Sequence, residues 1–244
     1  MYCYVYDEVL QDRKFERELA AIETRLTDLG IAGKIARLAL FREPIDVIRD
    51  EIRGGVTTVV AVGNDSTLRR VLDAVNDTKT VVALLPVGPQ GVMADLLGMP
   101  NGVAACDVLS ARIVEDLDVG EVNGKRFVQS VTMSGTDFVV YHGKQYTLTP
   151  QRKANIEVRN LAQPDDAGVQ SPIDGRLSLI LRLPKFSLFG HKADIGIVPF
   201  SEVRIVCENA ITALVDGDKL NGKDFVFRVI PRALRLVTGK GRKF

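Results

Sequence analysis

The sequence predicts two domains of different class: an α/β domain with a doubly wound parallel sheet, followed by an all-β domain built as an antiparallel β-sandwich. Two observations predict this order. Over roughly the first 105 of the 244 residues, apolar segments of strand length alternate with segments of helical periodicity, which is typical of parallel strands joined by crossover helices. After Cys106, short alternating segments are separated by Asn-Gly and Asp-Gly pairs, which favour β-hairpins.

The first domain is predicted to span residues 1–106, with a regular succession of elements. Apolar, largely β-branched segments predict four buried strands: Tyr2–Tyr6, Lys34–Leu40, Thr57–Val62 and Thr80–Leu85. Apolar residues at helical spacing predict four helices: Phe15–Leu29, Pro44–Ile52, Leu68–Val75 and Val92–Leu97. Because each strand leads into a helix, we expect a parallel sheet that is buried on both faces.

The second domain is predicted to span residues 107–231. Its predicted antiparallel strands are Arg126–Met133, Asp137–Tyr141, Asn155–Val158, Leu177–Leu183, Ile195–Val198 and Val203–Cys207. Its turn signals are Asn123-Gly124, His142-Gly143, Asp174-Gly175, Asp216-Gly217 and Asn221-Gly222. The C-terminal segment 232–244 either completes this domain or returns to the first sheet.

Composition excludes several classes of protein. The formal net charge of +1 argues against a general nucleic-acid-binding protein. The three cysteines form no Cys-x-x-Cys pair and there are two histidines, which disfavours disulfide frameworks, zinc sites and Ser-His-Asp triads and favours a cytoplasmic location. The N-terminus predicts a strand rather than a signal peptide. No run of about 18 apolar residues predicts a transmembrane segment.

A five-residue turn, Gly63-Asn64-Asp65-Ser66-Thr67, joins the third strand to the next helix. Gly63 allows positive φ at the end of the strand, and Asn64 tolerates the left-handed region. Asp65, Ser66 and Thr67 can cap the helix that follows. A phosphate at this turn would interact with free N–H groups and with the helix dipole. The alternative is a capped strand–helix turn that binds no ligand.

Two further segments carry candidate site residues. The segment Pro86–Pro100, with Gly88 and Gly91, also follows a predicted parallel strand, so both turns should lie at the edge of the sheet where ligands bind. Near the C-terminus, Asp216 and Asp218 flank a glycine and can hold a divalent cation or supply a general base. The alternatives are a Pro/Gly connector and an Asp-Gly hairpin turn, respectively.

These three segments, in this order, resemble the motifs of the diacylglycerol kinase catalytic-domain family, which includes sphingosine kinases and is related to NAD kinases. The family has Gly-Gly-Asp-Gly-Thr after its third strand, where this chain has Gly63–Thr67. The family's Pro-x-Gly-Thr-x-Asn-Asp-x-Ala segment and its Leu-Gly-Ile-Pro close correspond to Pro86–Ala94 and Leu97–Pro100. Its Asp-Gly-Glu and the following Pro-x-Ala-Leu-Arg-Val correspond to Asp216–Asp218 and Pro231–Val237.

The resemblance implies a nucleotide-binding α/β domain followed by a β-sandwich. It also implies Mg²⁺-assisted phosphoryl transfer from ATP to a hydroxyl group of a lipid such as diacylglycerol, met at a membrane surface. The nucleotide would lie across the Gly63–Thr67 turn, with Thr67 near a phosphate and with Gly88 and Gly91 in the same site. Asp65 would help to hold the Mg²⁺–phosphate assembly.

The resemblance also implies roles for the two late carboxylates. Asp216 would be the candidate general base, and Asp218 stands where the family has glutamate. Such chemistry consists mainly of positioning and charge neutralisation, for which carboxylates, Mg²⁺ and helix N-termini are suited. A homodimer is left open.

Three departures from the family pattern leave other functions open. The first strand ends in Asp7-Glu8, where the family has a glycine-containing phosphate loop, and these acidic residues would repel a phosphate. Ser66 adds a Cβ at a glycine position, and Pro89 lacks both a hydroxyl group and an N–H donor. The alternative is a catalytically inactive kinase-fold protein that binds a nucleotide or acts as an interaction module. The third candidate is an NAD kinase-like enzyme.

Overall fold

The structure is a computed structural model that describes residues 1–38, 44–76, 78–89, 91–143, 146–150, 154–161, 171–183 and 194–244. The chain forms two compact units. The first comprises Met1–Asp116 and Leu234–Lys243, and the second comprises Leu117–Ala233 and Phe244. The predicted boundary at residue 106 falls inside a helix, Ala104–Ala111. This helix is only about two turns long, which is too short to show a clear periodicity in the sequence.

The first unit contains four parallel strands and five helices among its described residues. The strands are β1 (Tyr2–Tyr6), β2 (Lys34–Arg37), β3 (Thr58–Gly63) and β4 (Val81–Pro86). The helices are α1 (Glu16–Asp28), α2 (Pro44–Arg53), α3 (Asp65–Val75), α4 (Val92–Leu96) and α5 (Ala104–Ala111), and two 3₁₀ turns, Glu8–Gln11 and Arg13–Phe15, precede α1. Every residue of β3 and β4 is buried. The predicted parallel sheet is therefore confirmed; residues 39 and 40 of the predicted second strand lie outside the described residues.

The strand order of this sheet places a crevice beside β1. The order is β2-β1-β3-β4, and Leu236 of the last strand of the chain pairs in parallel with Val82 beyond it. Because the chain runs from β1 to one side and then to the other, the connections after β1 and β3 diverge. In open α/β sheets, ligands bind at the carboxyl ends of the strands where the order reverses in this way.

The second unit is antiparallel. Two of its strands, β5 (Val114–Val122) and β14 (Asp218–Val237), each have one end in the first unit. The other strands are β6 (Lys125–Phe127), β7 (Ser130–Thr136), β8 (Phe138–His142), β9 (Tyr146–Leu148), β10 (Ala154–Arg159), β11 (Leu177–Leu183), β12 (Asp194–Phe200) and β13 (Glu202–Val215). The main order is β12-β11-β10-β7-β13-β14, and β8 pairs with the first half of β13. Its core includes Phe127 and Phe227, whose rings meet edge to face.

The turn signals of this unit had mixed outcomes. Asn123-Gly124 and Asp216-Gly217 are two-residue hairpin turns in which both residues have positive φ, as a type I′ turn requires. The predicted turn at Asn221-Gly222 is wrong. These two residues lie inside β14 and pair with Thr212 and Ile211, next to a register shift in β13. A glycine within a strand commonly marks such an irregularity instead of a turn.

Two general expectations concern the membrane and the thiols. Within the part of the chain that the structure describes, no helix combines the length and the apolar character needed to cross a bilayer. Cys3, Cys106 and Cys207 are buried, and none of them forms a disulfide bond. Burial raises the pKa of Cys3 and of Cys106 to about 11, so both side chains favour the neutral thiol form.

Candidate functional site

The turn after β3 requires glycine at its first position. Gly63 has a φ of +147°, and a Cβ placed on it would lie 2.5 Å from Thr67 Oγ1 and 3.1 Å from Asp7 Cβ. Because a side chain would be strained by this φ and would also meet two neighbours, residue 63 can only be glycine without local rearrangement.

Asn64 caps α3 from within the turn. Its Oδ1 accepts the N–H of Ser66 at 2.9 Å and the N–H of Thr67 at 3.4 Å, and the N–H of Asn64 donates to Thr67 Oγ1 at 3.3 Å. This reciprocal arrangement is a capping box. The side chains of Asn64 and Ser66 are exposed, but two N–H groups expected to be free for an anion already have a partner within the chain.

Thr67 links this turn to the end of β1. It is fully buried, and its hydroxyl donates to Asp7 Oδ2 at 2.6 Å. The other oxygen of Asp7 accepts the N–H of Val9 at 3.0 Å, which caps the 3₁₀ turn that follows. Thr67 is therefore a positioning residue in this structure, since its hydroxyl is directed to Asp7 and Asn64.

Asp65 joins the turn to α4. Its Oδ2 accepts the N–H of Met93 at 3.2 Å, and a Cβ placed on Gly91 would overlap Asp65 Oδ1. Asp65 thus caps the N-terminus of α4, where Gly91 has no side chain to do so. Oδ1 is buried and has no hydrogen-bond partner among the described residues. The structure therefore brings together the predicted site residues Gly63–Thr67 and Gly91.

Gly88 belongs to the same cluster of loops. Its φ is +88°, and a Cβ on it would lie 3.6 Å from the ring of Phe15, the last residue of the second 3₁₀ turn. The neighbouring Val87 donates its N–H to Gly63 O at 3.0 Å. The loops after β1, β3 and β4 consequently meet at the carboxyl edge of the sheet.

A cleft of about 650 Å³ opens beside the loop after β1. Tyr6, Leu10 and Leu19 contribute apolar surface, and the Tyr6 hydroxyl donates to Glu23 Oε1 at 3.0 Å. The charged groups that line it are Asp7, Asp12, Glu16, Glu23, Arg13 and Arg37. The volume is in the range of small-molecule sites, and the lining carries four carboxylates against two guanidinium groups.

The late carboxylates lie in the second unit. The carboxylate of Asp216 accepts backbone N–H groups of three consecutive residues, Val128, Gln129 and Ser130, at 2.7, 3.0 and 2.8 Å. Asp218 is exposed and forms an ion pair with Lys125 at 3.2 Å. Asp216 therefore fixes the connection between β6 and β7 as well as occupying a hairpin turn, and Asp218 is the more accessible of the two.

Sequence reasoning missed one structural role in this cluster. Asp7 was expected to repel phosphate at the edge of the sheet, but its hydrogen bond to Thr67, sixty residues away, was not foreseen. The sequence feature that could have indicated this bond is the position of Asp7 directly after β1. From there its side chain can reach the turn that follows the neighbouring strand β3. An acid at that position and a buried threonine hydroxyl form a pair that only the parallel pairing of β1 with β3 brings together.

Comparison with known proteins gives matches in sequence and in fold. A family model described as the diacylglycerol kinase catalytic domain matches residues 5–122. A probable lipid kinase YegS-like protein of Pseudomonas aeruginosa is 34% identical over 88 residues, which are 35% of this chain and 29% of that protein. A protein of the same name from Pseudomonas fluorescens is 32% identical over 123 residues, 48% of this chain and 40% of that protein. These matches span less than half the length of either relative.

The fold likeness extends over the whole chain. A crystal structure of a diacylglycerol kinase from Bacillus anthracis str. Sterne matches with a TM-score of 0.78, at 14% identity, and covers 99% of this chain and 97% of that one. The mixed parallel and antiparallel architecture is therefore a known one. The family match includes the last two residues of β1, the Gly63–Thr67 turn and α4. The residues that match the family of the diacylglycerol kinase catalytic domain are thus 5–122, just under half of the chain.

Proposed function

We propose that this protein transfers the γ-phosphoryl group of ATP to a hydroxyl group of a lipid such as diacylglycerol, with Mg²⁺. The observation that carries the proposal is the contact between Asp65 and the N-terminus of α4, which joins two family motifs at the carboxyl edge of the sheet. The family match and the names of the curated relatives support a lipid kinase.

In this proposal the nucleotide lies across the turn after β3 and extends into the neighbouring cleft. Gly63 and Gly91 let the backbone pack closely at this edge, and the exposed side chains of Asn64 and Ser66 offer polar groups to phosphate oxygens. The apolar part of the cleft suits a nucleoside.

The residues of the turn suit a phosphate-bound Mg²⁺. The buried Asp65 Oδ1 has no protein partner in the described chain, and no group of three or more His, Cys, Asp or Glu side chains there could hold a metal alone. Mg²⁺ is commonly held by one or two carboxylates together with substrate phosphates. When bound, Mg²⁺ would neutralise phosphate charge, and Asp65 would orient it.

Asp216 and Asp218 are the proposed general-base residues. The N–H groups of Val128, Gln129 and Ser130 donate to Asp216 and hold its carboxylate in a fixed orientation. A substrate hydroxyl would therefore meet this carboxylate from a defined direction. Asp218 would contribute negative charge at the same hairpin.

A second candidate is a kinase-fold protein that binds a nucleotide without turnover. The capping of Ser66 and Thr67 by Asn64 favours it, because phosphates must compete with an internal acceptor for these N–H groups. This candidate predicts nucleotide binding with no label in any lipid.

The test is transfer of label from γ-labelled ATP to diacylglycerol in phospholipid vesicles with Mg²⁺, resolved by thin-layer chromatography. We expect D65N and D216N each to lower the rate about 100-fold or more, since each removes charge from the proposed machinery. D224N is the matched control, because Asp224 is a partly exposed carboxylate of β14 that pairs with Arg204.

Four outcomes have distinct meanings. Activity that D224N retains and the other two variants lose supports the proposal. A parent rate no higher than that of D65N and D216N contradicts it. Binding of ADP by calorimetry without lipid labelling leaves the second candidate, and conversion of NAD to NADP by the parent would favour an NAD kinase-like enzyme.

A further inference from the structure

Asp7 is held rigidly beside the turn after β3. Its side chain is 6% exposed, and its oxygens accept the Thr67 hydroxyl at 2.6 Å and the Val9 N–H at 3.0 Å. Its backbone N–H donates to Val62 O at 3.1 Å. Two hydrogen bonds thus fix the carboxylate, one of them from the turn itself, and a third fixes the backbone of Asp7.

The same carboxylate lines the cleft next to the turn. A phosphate chain that reaches from this cleft to the turn must therefore pass close to a fixed acidic group. Asp65 adds a second carboxylate within the turn, and the remaining charged groups of the cleft do not offset these two, because Asp12, Glu16 and Glu23 outnumber Arg13 and Arg37.

We propose that the buried carboxylate of Asp7 makes nucleotide binding at the Gly63–Thr67 turn depend on a divalent cation and determines selection against metal-free polyphosphates. The inference rests on the proposed function. Repulsion between a buried carboxylate and a phosphate is weakly screened by salt. A divalent cation bound to the phosphates lowers their net charge and removes most of that repulsion.

The experiment measures ADP and ATP affinity by calorimetry on the full chain, in excess EDTA and in excess Mg²⁺, for the parent, D7N, D7S and D224N. D7N keeps the size of the side chain and its acceptor for the Val9 N–H, and D7S is a second uncharged variant. D224N is the control, because it also removes one carboxylate charge, but Asp224 pairs with Arg204 and is not among the residues that line the cleft. Thermal unfolding by circular dichroism checks that each variant is folded.

In EDTA, we expect D7N and D7S to bind ADP at least about tenfold more tightly than the parent, and D224N to differ from the parent by less than about threefold, because exposed charge outside the cleft is screened. In Mg²⁺ the two Asp7 variants should bind ADP less than about threefold more tightly than the parent. Tight metal-free binding by D7N together with none by the parent also supports the inference.

Two outcomes overturn it, and they differ in what they say of the proposed function. Equal affinities of the parent and the folded Asp7 variants in EDTA overturn the role of Asp7, while nucleotide binding as such still stands. Absence of binding by every folded variant in both conditions overturns the proposed function and this inference together.

Discussion

At the scale of single residues, Asp65 and Gly91 act as a pair. Gly91 has a negative φ, so its backbone would accept any residue, but the space for its side chain is filled by the Asp65 carboxylate. In return, Asp65 supplies the cap that a glycine cannot give α4. The requirement for glycine at position 91 is therefore one of space rather than of backbone conformation.

This pairing predicts a strong coupling between the two positions. We expect G91A to lower the free energy of unfolding by about 1–3 kcal/mol, because the new methyl group displaces the Asp65 carboxylate. In a D65A background, G91A should lower the free energy of unfolding by at least about 1 kcal/mol less than in the parent, because the carboxylate that the methyl group displaces is absent. Urea denaturation of the four proteins of this cycle measures the coupling. Additive costs would show that Gly91 is not constrained by Asp65.

At the scale of elements, α4 depends on contacts at both of its ends. It has five residues, and helices so short are not stable alone. Asp65 caps its N-terminus, and the C-terminal segment Gly239–Lys243 lies at its other end, where Gly239 N–H donates to Leu97 O at 2.8 Å and Lys243 N–H donates to Leu96 O at 2.9 Å. The segment that holds α4 in place thus comes from the far end of the chain.

Gly239 is the position at which this contact is most sensitive. A Cβ on Gly239 would overlap the carbonyl oxygen of Gly98, whereas nothing lies within 4 Å of a Cβ on Gly241. We therefore expect G239A to destabilise the protein by about 2 kcal/mol or more and G241A to change the free energy of unfolding by less than about 1 kcal/mol. Urea denaturation measures both. Equal effects of the two substitutions would contradict the close packing of this segment against residue 98.

The salt bridge of the same segment should matter less. Lys243 pairs with Asp95 at 2.6 Å, and the two side chains are 39% and 48% exposed. Exposed pairs contribute about 0–1 kcal/mol. The backbone contacts, rather than this ion pair, are therefore expected to hold the segment on α4.

At the scale of the whole molecule, the first unit buries several ionisable groups in neutral form. Burial raises the pKa of Cys3 and Cys106 from 9.0 to about 11, and burial also raises the pKa of Tyr4 and Tyr6 above the usual value of tyrosine. Cys3, Tyr4 and Tyr6 all lie in β1. This interior strand of the parallel sheet is therefore a region in which proton loss and folding are coupled.

This coupling predicts a loss of stability at alkaline pH. Between pH 9 and pH 11 the unfolded chain releases thiol protons that the folded chain keeps. The free energy of unfolding therefore decreases as the pH rises. The stabilisation by these groups is complete below pH 9 and decreases above it. The chain has no tryptophan, so urea denaturation followed by far-UV circular dichroism is the suitable measurement.

The double variant C3A/C106A provides the comparison. Its free energy of unfolding should fall less steeply between pH 9 and pH 11 than that of the parent, because two of the groups responsible have been removed. If the two proteins lose stability in parallel over this range, the thiols are not the source of the effect.

Local patterns were sufficient to predict the parallel sheet of the first unit and one hairpin turn of the second unit. β3 and β4 are continuous apolar segments bounded by glycine and proline, so their burial on both faces follows from composition alone. The turn Asp216-Gly217 also follows from its two residues. The helix α5 and the strand β5 were not predicted, because the first is short and the second contains four acidic residues among its nine.

The sequence by itself determined the order of the four strands β1–β4 and the helices α1–α4 in the first unit and the presence of a capping turn at Gly63–Thr67, because both depend on neighbours along the chain. Only the tertiary structure decided what the turn touches. The bond from Thr67 to Asp7 spans sixty residues and that from Asp65 to Met93 spans 28. Such contacts depend on which strands lie side by side, and the pairing of β3 with β1 and β4 is what places one carboxylate under the turn and another at the start of α4.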